Sequence, residues 1–458
     1  MKKLIYILML LCPIMAFAQQ NLLNSSKSDL FWQNVGEAGF SEGLVRYSSF
    51  AFSPSGEPYV AYCDYANFGK VTVMKFDGTN WINVGNAGFS SDTAEYTSLA
   101  ISPSGQPYVA YQDYGNSKKA TVMKFDGINW VNVGMAGFTT SRVYEIVLAL
   151  NQTGQPYVVY FDIANQSRGT VMRFDGTTWV VVGNGGFSNI LASELDLAFS
   201  PNDEPFVSFA DWSLSAKTTV MKFDGINWVF VGIAGFSSGE AGYTSLAFSP
   251  IGRPYVAYMD YGNSHKATVM SFNGDEWWNV GNAGFTPDWA AYTSLAFSPM
   301  GQPYVAFMNW ACSNKATLMK FENGNWVNVG NGCFSVGQAQ YTDLAFSPYG
   351  QPYVAFCDNG NSFKTTVMKY DYPTRINEPH DNGFSVYPNP ATSEITIETS
   401  KLCTAIHLTI MTVDGQKIIT RQITEPKTQL DISNLPCGVY CVRVTENMNV
   451  TMGKFVKL

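Results

Sequence analysis

Charge and histidine are both scarce in this chain. Only 14% of its 458 residues are Asp, Glu, Lys or Arg, and the histidines number three, His265, His380 and His407. His380 and His407 fall in the C-terminal section, so a histidine-centred triad in the bulk of the chain has only His265 to draw on. Acids outnumber bases for a net charge of −8, which excludes the basic stripe that nucleic-acid binding needs. Beyond residue 17 no apolar run approaches the roughly 18 to 20 residues of a membrane helix. The eight cysteines include no CxxC pair for zinc and no even, regularly spaced disulfide framework. The Asp residues form no calcium loop, and Arg46, Arg142, Arg168, Arg173 and Arg253 are too scattered for the converging arginines of sialidase chemistry. No metal and no cofactor is expected, and no catalytic residue can be named.

What is present is a repeat. Trp32, Trp81, Trp130, Trp179, Trp228, Trp277 and Trp326 recur at a stride of 49 residues, a period that marks a repeat architecture. In the fifth copy, Tyr243 to Ser249, Pro254 to Tyr261, Ala267 to Phe272 and Trp277 to Gly281 read as strands of alternating character. They are separated by turn signals such as Ile251-Gly252 and Asn273-Gly274, whose glycines accept positive φ. Four short strands per unit of this length is the sequence form of a propeller blade. The seventh copy stops after Tyr370 without its Trp strand, and one such strand, Phe31 to Gly36, stands alone ahead of the first copy. The expectation is an all-β, seven-bladed β-propeller over residues 19–370, closed by that N-terminal strand. The Gly-His and Trp-Asp dipeptides of WD repeats and the paired glycines of kelch repeats are missing, so it fits no named motif family.

Residues 1–18 read as a secretory signal peptide, with Lys2 and Lys3, an apolar run and a small-residue end at Ala16-Phe17-Ala18. Cys12 lies inside the apolar run after bulky Leu11, which argues against lipidation. Seven cysteines remain after cleavage.

Each copy has an acid or amide ending its second strand and a cation six positions later, as in Asp64 with Lys70 and Asp260 with Lys266. Such a ring could bind metal or sugar, but the preferred reading is a cross-hairpin ion pair worth about 0.2 to 1 kcal/mol. The repeated Trp is read as inter-blade packing. The segments that vary between copies are the loop after the second strand, with Tyr65, Tyr114, Trp212, Tyr261 and Trp310, and the blade-to-blade loop, with Arg46, Asp92, Arg142, Ile190, Glu240, Trp289 and Gln338. With the fourth strand outermost, both lie on one rim. Aromatic rings beside polar groups on one face suit carbohydrate or protein recognition. No blade departs enough from the others to reveal an active site. Cys312 and Cys333 fall in those two kinds of loop in one blade, and a disulfide between them is expected with Cα atoms about 4.4 to 6.8 Å apart. Cys63 and Cys357 occupy one equivalent position in adjoining blades and are expected to remain thiols.

Residues 371–383 read as a linker, and residues 384–458 as a small β-sandwich with strands at Glu394 to Glu398, Ala405 to Met411, Gln416 to Thr420 and Tyr440 to Val444. Its motifs, Phe384-Ser-Val-Tyr387-Pro388-Asn389-Pro390, Met411-Thr-Val-Asp414-Gly415, Leu435-Pro-Cys-Gly438-Val-Tyr440 and the closing Gly453-Lys454-Phe-Val-Lys457-Leu458, closely resemble the type A C-terminal sorting domain of the Bacteroidota type IX secretion system. The resemblance implies Sec export, recognition of the tail by the type IX machinery, and release or display at the outer-membrane surface. The preferred function is therefore a secreted or surface-displayed binding protein whose rim recognises a glycan or protein multivalently. The alternatives are an extracellular polysaccharide hydrolase with a carboxylate pair on that rim, or a structural surface protein.

Overall fold

The computed structural model describes residues 32–371, 384–399, 406–412, 417–436, 438–446 and 449–457. The signal peptide, Phe31, most of the linker, the Asp414-Gly415 turn, Cys403 and Cys437 lie outside them. The chain divides into two compact units, residues 1–372 and 373–458.

The first unit contains seven four-stranded antiparallel sheets. Blade 5 has strands Ala241–Phe248, Pro254–Asp260, Lys266–Phe272 and Trp277–Asn279 in sequence order across the sheet. Blades 1 to 4 and 6 repeat that order from Val45, Ala94, Val143, Ala192 and Ala290. In blade 5 the first strand starts at Ala241, two residues earlier than the sequence suggests, because the chain bulges there, with register shifting between Gly242 and Ser245. Second strands lie within their sheets and are covered on both faces by neighbouring blades, so they read as nearly continuous apolar runs. Pro107–Asp113 is buried at every position.

Blade 7 combines the two ends of the unit. Ala339–Phe346, Pro352–Asp358 and Lys364–Tyr370 supply three strands, and Trp32–Asn34 supplies the outermost, with Trp32 opposite Tyr370 and Asn34 opposite Met368. The joint continues past the strand: Val35 N–H donates to Val367 O at 2.9 Å and Phe40 N–H to Thr365 O at 3.0 Å.

Adjoining blades are locked by the repeated Trp. Each indole N–H donates to the carbonyl of a Val following the preceding blade's fourth strand, at 2.6 to 3.0 Å around all seven joints, including Trp32 to Val329 and Trp81 to Val35. In six joints the indole also stacks on the Phe of the blade-to-blade loop, as Trp81 does on Phe40 with centroids 4.2 Å apart. The glycine between them explains itself: Gly36 has φ +72°, and a Cβ there would stand 2.9 Å from Phe76 and 3.1 Å from Trp81.

The second unit pairs a three-stranded sheet, Phe384–Tyr387, Glu394–Thr399 and Lys427–Asp431, with a four-stranded one, Lys417–Ile423, Ile406–Thr412, Gly438–Glu446 and Asn449–Lys457. Ile395, Ile397, Leu408, Ile410, Val442 and Phe455 form the centre of its core. Phe384–Tyr387, Lys427–Asp431 and Asn449–Lys457 are strands that the sequence reading did not assign.

Deleting residues 19–36 removes Trp32 from its pocket and leaves Lys364–Tyr370 as an unpaired edge. Loss of a fully buried aromatic costs about 3 to 5 kcal/mol, and the partly buried Trp32 is lost here together with the strand's ladder bonds. We expect the melting temperature of the propeller to fall by about 10 °C or more. An unchanged melting temperature would show that the ring does not depend on this strand.

Candidate functional site

The loop after the second strand and the blade-to-blade loop share one rim. In blade 1, Tyr65 N–H donates to Leu44 O at 3.1 Å, and in blade 2 Tyr114 N–H donates to Thr93 O at 3.1 Å, so the two loops are bonded together. A buried carboxylate organises the turn in six blades, and the Asn309 amide takes its place in blade 6. Asp64 accepts from Ala66 N–H at 3.0 Å, Asn67 Nδ2 at 2.9 Å and Thr72 Oγ1 at 2.8 Å, and Thr72 Oγ1 in turn accepts from Gly88 N–H at 2.8 Å. This corrects the expected Asp–Lys ion pairs. Asp64 and Lys70 are opposite in register, but among the described residues no ion pair closes across this hairpin in any blade. The carboxylate turns inward instead, where turn N–H groups and a hydroxyl replace its hydration.

In blade 6 the scheme is altered. The turn's Asn and the loop's Gly touch in five of the other copies, where for example a Cβ on Gly88 would stand 2.8 Å from Asn67 Cβ, and blade 4 has Leu214 in place of the Asn. In blade 6 both are cysteine, and Cys312 and Cys333 are disulfide-bonded with Cα atoms 6.1 Å apart. Cys63 and Cys357 are buried free thiols, and burial raises both pKa values, that of Cys357 to about 12.

The six predicted rim aromatics separate into groups. Tyr65 sits under the Arg46 guanidinium at 5.5 Å, Tyr114 under Lys118 Nζ at 4.3 Å, and Trp212 donates to Ser193 Oγ at 2.9 Å. Arg46 itself belongs to the first strand of blade 1, opposite Cys63, rather than to the loop. Tyr261, Trp289 and Trp310 come together through His265. Ring centroids run 4.3 Å from Tyr261 to His265, 4.4 Å to Trp289 and 4.9 Å to Trp310. Tyr261 is 40%, Trp289 41% and Trp310 50% exposed, so this four-ring platform across blades 5 and 6 is open to solvent. The disulfide staples the turn Trp310–Cys312 that carries one of its rings.

A second feature lies at the mouth of the central channel. The bulged residue of every first strand has positive φ: Tyr47, Tyr96, Glu145, Glu194, Tyr243, Tyr292 and Tyr341. Five tyrosines form a continuous arc, with neighbouring centroids 4.8 to 5.4 Å apart. Glu145 and Glu194 fill the remaining two places, in blades 3 and 4. Blades 3 and 4 thus depart from the others at this position. The same joint departs elsewhere too. Val147 stands where Ser49 and Ser98 accept the next blade's N–H at 3.1 and 3.0 Å, and Leu197 N–H turns to Asp196 instead, at 2.8 Å. Gly169 lacks the Cβ that would meet Phe187 at 2.3 Å, so that ring tilts inward to 5.3 Å from Trp228.

Glu194 accepts from Tyr243 N–H, and Glu145 accepts from the backbone of Glu194 and Leu195. Glu145 Oε2 is buried with no hydrogen-bond partner. Burial, then the neighbouring Glu194 charge, pushes the Glu145 pKa up to about 7. Burial also raises that of Glu194, and those of Asp196 and Asp343 to about 6. Among the described residues no group of three or more acids, His or Cys could hold a metal ion.

In the second unit, Asn389 joins the start of the domain to its last strand. Its Oδ1 accepts from Val456 N–H at 2.9 Å and its Nδ2 donates to Lys454 O at 3.3 Å. The bonds preceding Pro388 and Pro390 are cis. Tyr387 donates to Glu398 at 2.5 Å and lies under Lys427 Nζ at 5.4 Å. Tyr440 stacks on Phe455 and donates to Pro436 O at 2.8 Å, Gly438 and Lys454 are exposed, and Lys457 is buried. Residues 385–458 match the family described as "Secretion system C-terminal sorting domain". The tail is a type IX sorting domain. The protein is thus exported to the cell surface or secreted; among the described residues no helix is long and apolar enough to cross a membrane.

No curated protein sequence matches the chain. Among solved structures, the BP39L lectin of Burkholderia pseudomallei is 14% identical over 72% of this chain and 96% of that one, with a TM-score of 0.53, which supports the propeller fold alone. PorZ, a surface component of the type IX secretion system of Porphyromonas gingivalis, is 14% identical with a TM-score of 0.47; the match covers 90% of this chain and 59% of PorZ. An ulvan lyase bound to its oligosaccharide is 12% identical over 72% of this chain and 94% of that one, with a TM-score of 0.49.

A carboxyl whose folded pKa is raised holds its proton in the folded state after the unfolded chain has released it. Its stabilising effect is full below the usual value of 4.5 and is lost as pH rises through about 7. We expect Glu145→Gln to melt with the parent protein at pH 4 and a few degrees above it at pH 8. Coincident melting at both pH values would mean that the Glu145 carboxylate is not held at a raised pKa.

Proposed function

We propose that the propeller is a secreted or surface-displayed binding protein whose loop-bearing rim recognises a glycan, with the platform of Tyr261, His265, Trp289 and Trp310 as its principal subsite. The observation that carries this reading is the contiguity of three exposed rings and the half-buried His265 ring, fixed from three loops, one of them stapled by a disulfide. Flat aromatic faces match the apolar faces of pyranose rings, and their rigidity limits the ordering cost of binding. Tyr65 with Arg46, Tyr114 with Lys118, and Trp212 with Ser193 offer further, weaker contacts on the same rim. Several such contacts to one polymer raise avidity without requiring any of them to be tight.

Hydrolysis is the second reading, because the chain does hold a carboxylate pair, Glu145 and Glu194, with unequal surroundings. Both side chains already accept backbone N–H groups, which favours binding over turnover. A glycan array with purified propeller, run beside a turnover assay on the same sugars, separates the two. We expect retention without cleavage, and a loss of affinity of about tenfold or more for Trp289→Ala or Trp310→Ala, in line with the energy of a stacked aromatic contact. Unaltered binding by both variants would remove the platform from the site, and release of shorter sugars would favour the hydrolase.

The sorting domain adds a prediction about place. Removing residues 384–458 should leave a folded propeller held in the periplasm of the native host, as detected by fractionation. Surface display of the truncated protein at the parent level would refute a requirement for the tail.

A further inference from the structure

The Tyr–Glu ring is not needed to build the channel. Five blades place Tyr at the bulge with φ between 52° and 54°, and Glu145 and Glu194 adopt the same geometry at φ 48° and 55°. Tyrosine therefore satisfies this backbone position, and two acids in adjoining blades are a departure that the fold does not require. The departure is also unfavourable by itself. The Glu194 charge raises the cost of ionising Glu145, the Glu240 charge raises that of Glu194, and among the described residues neither Glu145 nor Glu194 is ion-paired to a Lys or Arg. One oxygen of the pair, Glu145 Oε2, is buried without any partner. Glu145 lines a cavity of about 280 Å³ whose wall also includes Glu194, Tyr47, Tyr96 and Tyr341.

We propose that this mouth is a binding site for a primary ammonium group, held between the Glu145 and Glu194 carboxylates and the ring faces of the tyrosine arc. The chemistry is complementary at each point. A cation offsets the repulsion between the acids, an N–H donor satisfies Glu145 Oε2, and the negative faces of tyrosine rings attract an ammonium by a cation–π interaction. A neutral hydroxyl supplies only the second of these. The site is adjacent to the rim: a Cβ on Gly242, next to Tyr243 in sequence, would be 3.4 Å from the Tyr261 ring. The ammonium can be that of a simple aliphatic amine or of an amino sugar, and the site is distinct from stacking at Trp289 and Trp310.

Calorimetric titration of the full mature chain at pH 7.5 and low salt tests this with two matched pairs: 1,5-diaminopentane against 1,5-pentanediol, and glucosamine against glucose. We expect the charged member of at least one pair to bind with Kd of about 1 mM or tighter, and its neutral partner to bind at least tenfold more weakly. Preference for glucosamine over the diamine assigns the amino sugar as the source, and the reverse order assigns the simple amine. Glu145→Gln and Glu145→Tyr, the second of which installs the residue found in five blades, should each weaken the amine at least tenfold while melting like the parent or higher at pH 7.5. Trp289→Ala should leave diamine affinity unchanged, which keeps this site separable from the proposed rim platform. Binding of neither amine, equal binding of charged and neutral members, or full affinity in a folded Glu145 variant would overturn the proposal.

Discussion

The indole N–H of each blade reaching the Val carbonyl of the blade before it is the contact on which the rest of this propeller depends. A blade is a small sheet with two apolar faces and cannot bury both by itself; it must be covered by its neighbours. Apolar faces alone would allow sliding. A buried Trp that must find an acceptor fixes the offset, because an unpaired indole N–H would carry a desolvation cost of about 1 to 3 kcal/mol. The Phe stacked on that indole then pins the blade-to-blade loop, and the loop is the part of the rim that varies. Fold and rim are thus connected through one side chain per blade.

Closure follows from the same contact. The unit begins with a Trp-bearing strand and ends without one, and the Trp32 to Val329 bond is made by residues 297 positions apart. The joint at the chain ends makes the same indole bond as the six others. The joint between blades 3 and 4 is the irregular one: Val147, Gly169 with the tilted Phe187, and the Glu145–Glu194 pair all belong to it. Its indole bond persists, at 2.9 Å from Trp228 to Val182. A shared tie that survives lets neighbouring positions change chemistry without opening the ring.

Much of this was legible in the sequence, because blade architecture is written in periodic features. The 49-residue stride, the turn glycines and the displaced Trp strand together give seven blades and their closure. First strands begin ahead of the visible alternation because a bulge interrupts it just where the strand begins. The Asp–Lys reading failed for a different reason: register puts Cα atoms opposite one another but does not say which way a short carboxylate turns, and three local donors outcompete one solvated lysine. In the tail, Phe384–Tyr387 was read as a motif rather than a strand, since its prolines and asparagine mask a short edge strand. The rim aromatics were found by their variation, but only the fold shows that Tyr261, Trp289 and Trp310 meet through His265 while Tyr65, Tyr114 and Trp212 stay apart.

The channel mouth has its signal in one column of the repeat, Tyr-Tyr-Glu-Glu-Tyr-Tyr-Tyr at positions 47, 96, 145, 194, 243, 292 and 341. Attention to loops hides such a column, because it lies inside a strand where departures are ordinarily assigned to packing. In a closed repeat ring, however, every equivalent position is presented to one axis. A change that would be a solitary surface substitution in another fold becomes a change in the composition of a single site. Two acids among five tyrosines have a meaning at the mouth of a channel that they would lack if distributed along a flat sheet, since the ring brings them within each other's field and away from bulk water. The symmetry that makes the scaffold readable therefore makes its breaks the places where chemistry specific to this chain can be sought.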